Sequence, residues 1–276
     1  MADDALMEHL EGKQSVLAAL RAYQRRFEVI LVSRGAHAEK VQEVLDAAAE
    51  RGVPVRRVDP RELDDMAHGA SHGGVLAVAS AKPRMSPAQL MQMLDAQPAP
   101  ALLLLLEGVD DARNLGFTLR SAEALGVHAV MIKKHLWDFD AVEVARPASG
   151  AYERLPLVQI ESVDPIRDLQ KRGLSLYGCI AGARRSLYEV DLRRPSILAI
   201  GGEKRGLSGA VRSICDAFIT IPTVGGAASS LSLSHAGAIV IAEAMRQRSF
   251  AAARVSDMDS VAEPDALPIH SSPSIE

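Results

Sequence analysis

The chain offers little for a membrane or an oxidising compartment. Only two of its 276 residues are cysteine, Cys179 and Cys215. They lie far apart, show no metal-ligand spacing and sit beside apolar runs. Buried free thiols are expected rather than a disulfide, which fits a reducing cytoplasm. The longest apolar run, Ala101 to Leu106, is far too short to span a bilayer. Met1 to Glu8 is acidic rather than basic then apolar, so no signal peptide is expected. Positive charge is not in excess: the formal net charge is −4. That argues against bulk, non-specific nucleic-acid binding but leaves room for a local basic patch.

What is present is a sizeable apolar core. Hydrophobic residues make up 48% and charged residues 24%, the balance of a globular chain of one large or two small domains. Residues 1–82 alternate short strand and helix patterns: Gln14 to Tyr23 helical, Phe27 to Val32 a strand, Ala38 to Arg51 a helix closed by Gly52, then strands at Val53 to Val58 and Val75 to Ala79. His68 and His72 flank the turn before the last strand. They lack companions for a metal site and read as turn or surface residues. Residues 83–100 carry prolines at both ends around a Met-rich helical piece, which predicts an interdomain linker with Met85, Met91 and Met93 packed locally. Residues 101–249 alternate strands and helices, the pattern of an α/β domain with a parallel sheet covered on both faces. Residues 250–276 are poor in large apolar side chains and predict a disordered tail.

Three loops leave strands of this second domain at the end where open parallel sheets bind ligands. The first, from Glu107 to Gly116, leads into a helix that Asn114 can cap. Arg120 lies six residues on, nearly two turns, with reach toward the same end of the sheet. Arg120 reads equally well as an exposed residue paired with Glu123 or Glu107. The second loop, GGEKRG from Gly201 to Gly206, follows a buried strand. It is neither a G-x-G-x-x-G fingerprint nor a P-loop, which disfavours nicotinamide dinucleotides and nucleoside triphosphates. The third runs from Pro222 through Gly225, Gly226 and Ser230 into a long small-residue helix from about Ser232. Tiny side chains there let a ligand approach the backbone, although an ordinary strand–helix connection reads equally well.

Together these residues resemble a known family. Asn114, Gly116 and Arg120, then GGEKRG, then Ile221-Pro222 with Ser230-Leu231-Ser232-Leu233-Ser234, follow the three motifs of the SpoU/TrmH class of SPOUT RNA 2′-O-ribose methyltransferases, in order and at family spacing. EGKQSVLAAL (Glu11 to Leu20) and HGGVLAV (His72 to Val78) resemble the N-terminal substrate-binding domain of the bacterial 23S rRNA (guanosine-2′-O-)-methyltransferases.

The resemblance implies a parallel sheet closed by a C-terminal deep trefoil knot, an exception to the rule that chains avoid knots. It also implies a ribosomal-protein-like RNA-binding domain at residues 1–82, bound S-adenosylmethionine and a homodimer with the site at the subunit interface. No metal is required. In the roles it implies, Arg120 sits at the ribose hydroxyl, Asn114 and Glu203 orient it, and Ser230 supports them. Gly201, Ile221 and Leu231 hold the adenosine through backbone groups. Ser232 stands where the family usually has Asn, exchanging a carboxamide for one hydroxyl. Glu107 stands where the family usually has Asp.

Large-subunit rRNA is the expected substrate. A tRNA or antibiotic-resistance rRNA methyltransferase, or an RNA-binding homologue impaired by the Ser232 change, are the alternatives. Lys13, Arg21, Arg25, Arg26 and His72 are the expected RNA contacts of the first domain. Ala236, Gly237, Ala238, Ala242 and Ala244 are expected to be exposed on the last helix and to permit close helix approach in the dimer.

Overall fold

The structure is a computed structural model that describes residues 7–68, 72–97, 100–133, 139–225 and 231–260, with side chains described to 249. The first sheet has four strands in the order β1-β4-β2-β3: β1 (Met7–Glu11), β4 (Val75–Ser80), β2 (Phe27–Ser33) and β3 (Val55–Val58). β4 is antiparallel to both its neighbours, and β2 and β3 are parallel. Helices α1 (Lys13–Ala22) and α2 (Ala38–Glu50) cover one face, burying Val16, Leu20, Val41 and Val44 against Ile30 and Val32. Helix α3 (Pro60–Met66) covers the other through Leu63, packed on Leu31, Val58 and Leu76.

The second sheet has seven strands, all parallel, in the order β7-β6-β5-β10-β8-β11-β9. They are β5 (Leu102–Glu107), β6 (Ala129–Lys133), β7 (Leu157–Ile160), β8 (Ser175–Cys179), β9 (Arg185–Ser186), β10 (Ser196–Gly201) and β11 (Ala217–Thr220). Strand β5 shows why a run of leucines belongs at the centre. Side chains alternate faces along a strand, so Leu102, Leu104 and Leu106 enter one core while Leu103 and Leu105 enter the other. The first core lies under α5 (Ala112–Ala124), α6 (Ala141–Ala148), α7 (Ala151–Arg154) and α10 (Leu233–Ser260). The second lies under α4 (Pro87–Asp95), α8 (Asp164–Lys171) and α9 (Gly209–Arg212).

Several sequence expectations are corrected. The segment expected as a linker is built into the second domain. Met85 bridges to Val158, with its N–H donating to the Leu157 carbonyl at 2.9 Å, and Leu90 is fully buried in the second core. Met85, Met91 and Met93 do pack locally against that core. Helix α10 continues to Ser260, past the point where a disordered tail is expected, and residues 261–276 lie outside the described residues. On α10, Gly237 and Ala244 are buried rather than exposed. A Cβ on Gly237 would lie 3.3 Å from Thr118 Cγ2 of α5, so the small residue there serves packing within the chain.

The two sheets meet across a polar seam. Arg25 is 2% exposed. It donates to both carboxylate oxygens of Glu153 on α7 at 2.8 Å, to Glu8 at 2.7 Å and to the Ser80 carbonyl at 2.8 Å. Lys82 donates to the Glu153 carbonyl at 3.0 Å, and burial pushes its ammonium down to about 8. Arg25 is therefore no RNA contact: a buried guanidinium needs its carboxylates. Nor is His72, which is buried and bonded to Asp64 at 2.7 Å and to the Gly74 N–H at 3.1 Å. His68 lies 2.8 Å from Glu11 and 3.1 Å from Asp140, and its hydrogen bond to Glu11, aided by Asp140, raises its pKa. Lys13 is paired with Glu43.

Candidate active site

The first two loops and the described ends of the third, residues 221–225 and 231–232, converge at the C-terminal edge of the parallel sheet. The first is fixed by Glu107, which is 2% exposed. Its carboxylate accepts from the Ser208 N–H at 2.8 Å and the Ser208 hydroxyl at 3.0 Å, and it pairs with Lys133. Its carbonyl accepts from the Gly202 N–H at 2.7 Å. One residue thus ties both ends of the second loop to strand β5. Nothing local in the sequence points to this role of Glu107.

The second loop is packed so closely that only glycine fits. A Cβ on Gly202 would lie 1.6 Å from the Gly108 carbonyl oxygen, and one on Gly201 would lie 2.1 Å from the Gly206 carbonyl carbon. Gly108 and Gly206 both adopt φ +60°, where other residues are strained.

Asn114 does not cap α5. Asp111 does, accepting from the Asn114 N–H at 3.0 Å, and this frees the Asn114 side chain. Its Nδ2 donates to Glu203 Oε1 at 3.4 Å, and its Oδ1 accepts from Ser234 at 3.1 Å. The same Glu203 oxygen accepts from the Leu233 N–H at 3.3 Å, placing a carboxylate at the positive end of α10. Ser232 caps α10, accepting from the His235 N–H at 3.4 Å, so the hydroxyl keeps the capping role of the residue it replaces. Asn114, Glu203 and the start of α10 are thereby joined across loops far apart in sequence. Ser230 lies outside the described residues.

Arg120 is exposed on α5. Neither alternative partner is available: Glu123 is paired with Arg154, and Glu107 with Lys133 and Ser208. Among the described residues Arg120 has no hydrogen bond or ion pair, to Asn114 and Glu203 included. Its guanidinium is free to meet a group from outside the chain.

Beside this cluster opens a cavity of about 500 Å³. Gly201, Ile221 and Leu231 all line it, together with Gly202, Glu203, Ile219, Leu233 and Cys179. Its walls are mostly apolar, with Glu203, Arg212 and Thr220 among the polar residues that line it. Burial pushes the Cys179 thiol up to about 12 and the Cys215 thiol up to about 11. Both cysteines are free and half-buried, and neither offers a thiolate at neutral pH. Among the described residues no group of three His, Cys, Asp or Glu could hold a metal ion, and no helix is long and apolar enough to cross a membrane.

The sequence profile of the SpoU rRNA Methylase family matches residues 101–242, the span that builds this site. The chain belongs to that family. The profile for RNA 2′-O ribose methyltransferase substrate binding matches residues 9–85. The chain is similar to the 23S rRNA (guanosine-2′-O-)-methyltransferase RlmB of Pseudomonas aeruginosa, 36% identical over 242 residues, covering 87% of this chain and 97% of the relative. It is 38% identical to the RlmB of Xanthomonas axonopodis pv. citri, covering 86% and 95%. Among solved structures, an RNA 2′-O ribose methyltransferase superposes with a TM-score of 0.73 at 27% identity, covering 88% of this chain and 89% of that one. The SpoU methyltransferase AviRb from Streptomyces viridochromogenes, solved with the cofactor AdoMet, shares the fold at a TM-score of 0.73 and 24% identity, covering 88% and 91%.

The cavity fits the family's cofactor. Its volume lies in the range of about 300–1,000 Å³ typical of small-molecule sites. Ile219, Ile221, Leu231 and Leu233 supply an apolar wall for a planar base, and Gly201 and Gly202 bring backbone to its edge.

Proposed function

We propose that this chain is an S-adenosylmethionine-dependent RNA 2′-O-ribose methyltransferase acting on a guanosine of large-subunit (23S) rRNA. The observation that carries this reading is the junction of Asn114, Glu203 and the α10 start beside a backbone-lined cavity, with Arg120 left unpaired. The substrate-binding match over residues 9–85 favours rRNA over the tRNA alternative, because relatives over nearly their full length are rRNA enzymes.

S-adenosylmethionine, when bound, supplies an electrophilic methyl group on a sulfonium. Gly201, Ile221 and Leu231 would hold it through backbone groups, with the apolar wall around the base. Arg120 would sit at the ribose hydroxyl. A guanidinium is essentially always protonated, so its sound role is to stabilise negative charge developing on the ribose oxygen as the proton leaves. Asn114 and Glu203 would fix the loop junction that orients the ribose, with Ser230 and Ser232 supporting them. No metal enters this scheme.

A C-terminal segment threaded as a trefoil knot belongs to the same reading. A homodimer with the site at the subunit interface would give Arg120 its missing neighbours. Residues 1–82 would act as a ribosomal-protein-like RNA-binding domain and residues 101–249 as the methyltransferase domain, in the cytoplasm, where rRNA is made. Transfer of tritiated methyl from S-adenosylmethionine to 23S rRNA tests the reading. Label in rRNA at the 2′-oxygen supports it. RNA binding without transfer favours the impaired homologue, and light scattering at micromolar concentration decides the dimer.

A further inference from the structure

The hydrogen bonds at the α10 start extend past the residues given a role above. His235 Nδ1 lies 2.5 Å from Ser232 Oγ, and Ser232 Oγ lies 3.1 Å from Ser234 Oγ. Ser234 Oγ donates to Asn114 Oδ1 at 3.1 Å, and Asn114 Nδ2 donates to Glu203 Oε1 at 3.4 Å. His235 is exposed and Ser234 is buried.

Donors and acceptors fix where the hydrogens lie. A carboxylate only accepts, so Asn114 turns its N–H toward Glu203 and its carbonyl oxygen toward Ser234. That oxygen only accepts, so Ser234 donates to it. Ser234 has one hydrogen, now committed, and so accepts from Ser232. The Ser232 hydrogen is committed in turn. The 2.5 Å contact must then be made by a hydrogen on His235 Nδ1. Every bond is satisfied only when the donors run one way, from His235 to Glu203.

We propose that His235 is a positioning residue of the methyl-transfer site, whose Nδ1–H anchors a one-way hydrogen-bond chain through Ser232 and Ser234 that holds the Asn114 carboxamide toward Glu203. The inference rests on the reading that Asn114 and Glu203 belong to the reacting site. Without the His235 donor, the Ser232 hydroxyl is free to turn its hydrogen elsewhere and Ser234 loses its fixed orientation. The Asn114 amide can then flip, setting its oxygen against the Glu203 carboxylate. The arrangement also accounts for Ser232. Its one hydroxyl bonds on both sides, donating to Ser234, because the neighbouring imidazole donates to its oxygen.

The test compares His235→Ala, His235→Asn and Ser232→Asn, alone and combined, in the methyl-transfer assay on the full chain. His235→Ala should lower kcat about three- to tenfold, the worth of one neutral hydrogen bond, with KM for S-adenosylmethionine within about twofold. His235→Asn, which keeps an N–H near the same place, should recover most of that loss. In the Ser232→Asn background the His235→Ala loss should shrink below about twofold, since coupled residues do not add. Nitrogen NMR of the imidazole, at a pH where it is neutral, should show hydrogen on Nδ1, with a signal that moves in Ser232→Ala. Hydrogen on Nε2 with a bare Nδ1, or His235→Asn as slow as His235→Ala, overturns the proposal. A wild-type chain that transfers no methyl yet keeps the Nδ1 hydrogen overturns the proposed function and the catalytic relevance of His235, leaving only the hydrogen-bond chain.

Discussion

Arg25 and Glu153 form a two-point ion pair, 2.8 Å at each contact, with side chains 0% and 1% exposed. The pair joins the unit built on the four-stranded sheet to helix α7. Removing one partner leaves the other charge buried and alone, which costs about 3–5 kcal/mol. Arg25→Leu should therefore lower unfolding stability by that order, measured by chemical denaturation. Arg25→Leu with Glu153→Leu should cost less than the sum of the two single changes. A single substitution with no effect on stability would show the seam to be solvated.

Lys82 gives the same seam a pH signature. Burial lowers its folded pKa from 10.5 to about 8. Between those values the unfolded chain binds a proton that the folded chain does not, so stability rises with pH across the window and is lost as pH falls through about 8. Lys82→Met removes this term. The stability of wild type relative to Lys82→Met should increase from pH 8 toward pH 10. A flat difference would mean that Lys82 is not desolvated.

Arg21 and Arg26 remain exposed and carry the expectation of RNA contact that Arg25 and His72 lose. Reversing both charges should weaken rRNA binding and lower the salt dependence by roughly one unit per phosphate contact removed. Unchanged binding and slope would place the RNA face elsewhere.

The sequence showed most of this architecture, for physical reasons that vary by segment. β5 was legible because leucine on both faces of a strand belongs at a sheet centre, and Gly52 marked a helix end because glycine adopts the positive φ found there. β1 was missed because MEHLE alternates weakly and gains its partner β4 only across the whole domain. Helix α6 was missed because Pro147 lies inside it. At the site, the three loops were legible from their glycines and polar residues. The Asn114 cap was misread because Asp111, three residues earlier, takes that bond. Arg25 and His72 looked like surface cations because nothing local reveals a carboxylate distant in sequence. The tie from Glu107 to Ser208, 101 residues on, was hidden for the same reason.

The glycine loop gives a paired test. Gly202→Ala would drive a Cβ to 1.6 Å from the Gly108 carbonyl oxygen, so backbone must move and S-adenosylmethionine affinity should be lost, as read by calorimetry. Gly209→Ala meets nothing within 4 Å at the start of α9 and should be neutral or stabilising by about 0.4–1 kcal/mol. Equal cofactor affinity in both variants would detach this loop from the cavity.

The unpaired Arg120 is proposed to act on a ribose hydroxyl beside the Asn114–Glu203 junction. The most direct measurement is the rate at which a 2′-O-methyl mark appears at a single guanosine of 23S rRNA, for wild type and Arg120→Ala, at saturating S-adenosylmethionine. We expect a loss of roughly a hundredfold to a thousandfold in that rate, as for removal of an oxyanion-stabilising donor, with calorimetric affinity for S-adenosylmethionine unchanged. Arg120→Lys should recover only part of the loss, because a point ammonium does not reproduce the guanidinium fork. An Arg120→Ala chain that installs the mark at the wild-type rate would contradict the account.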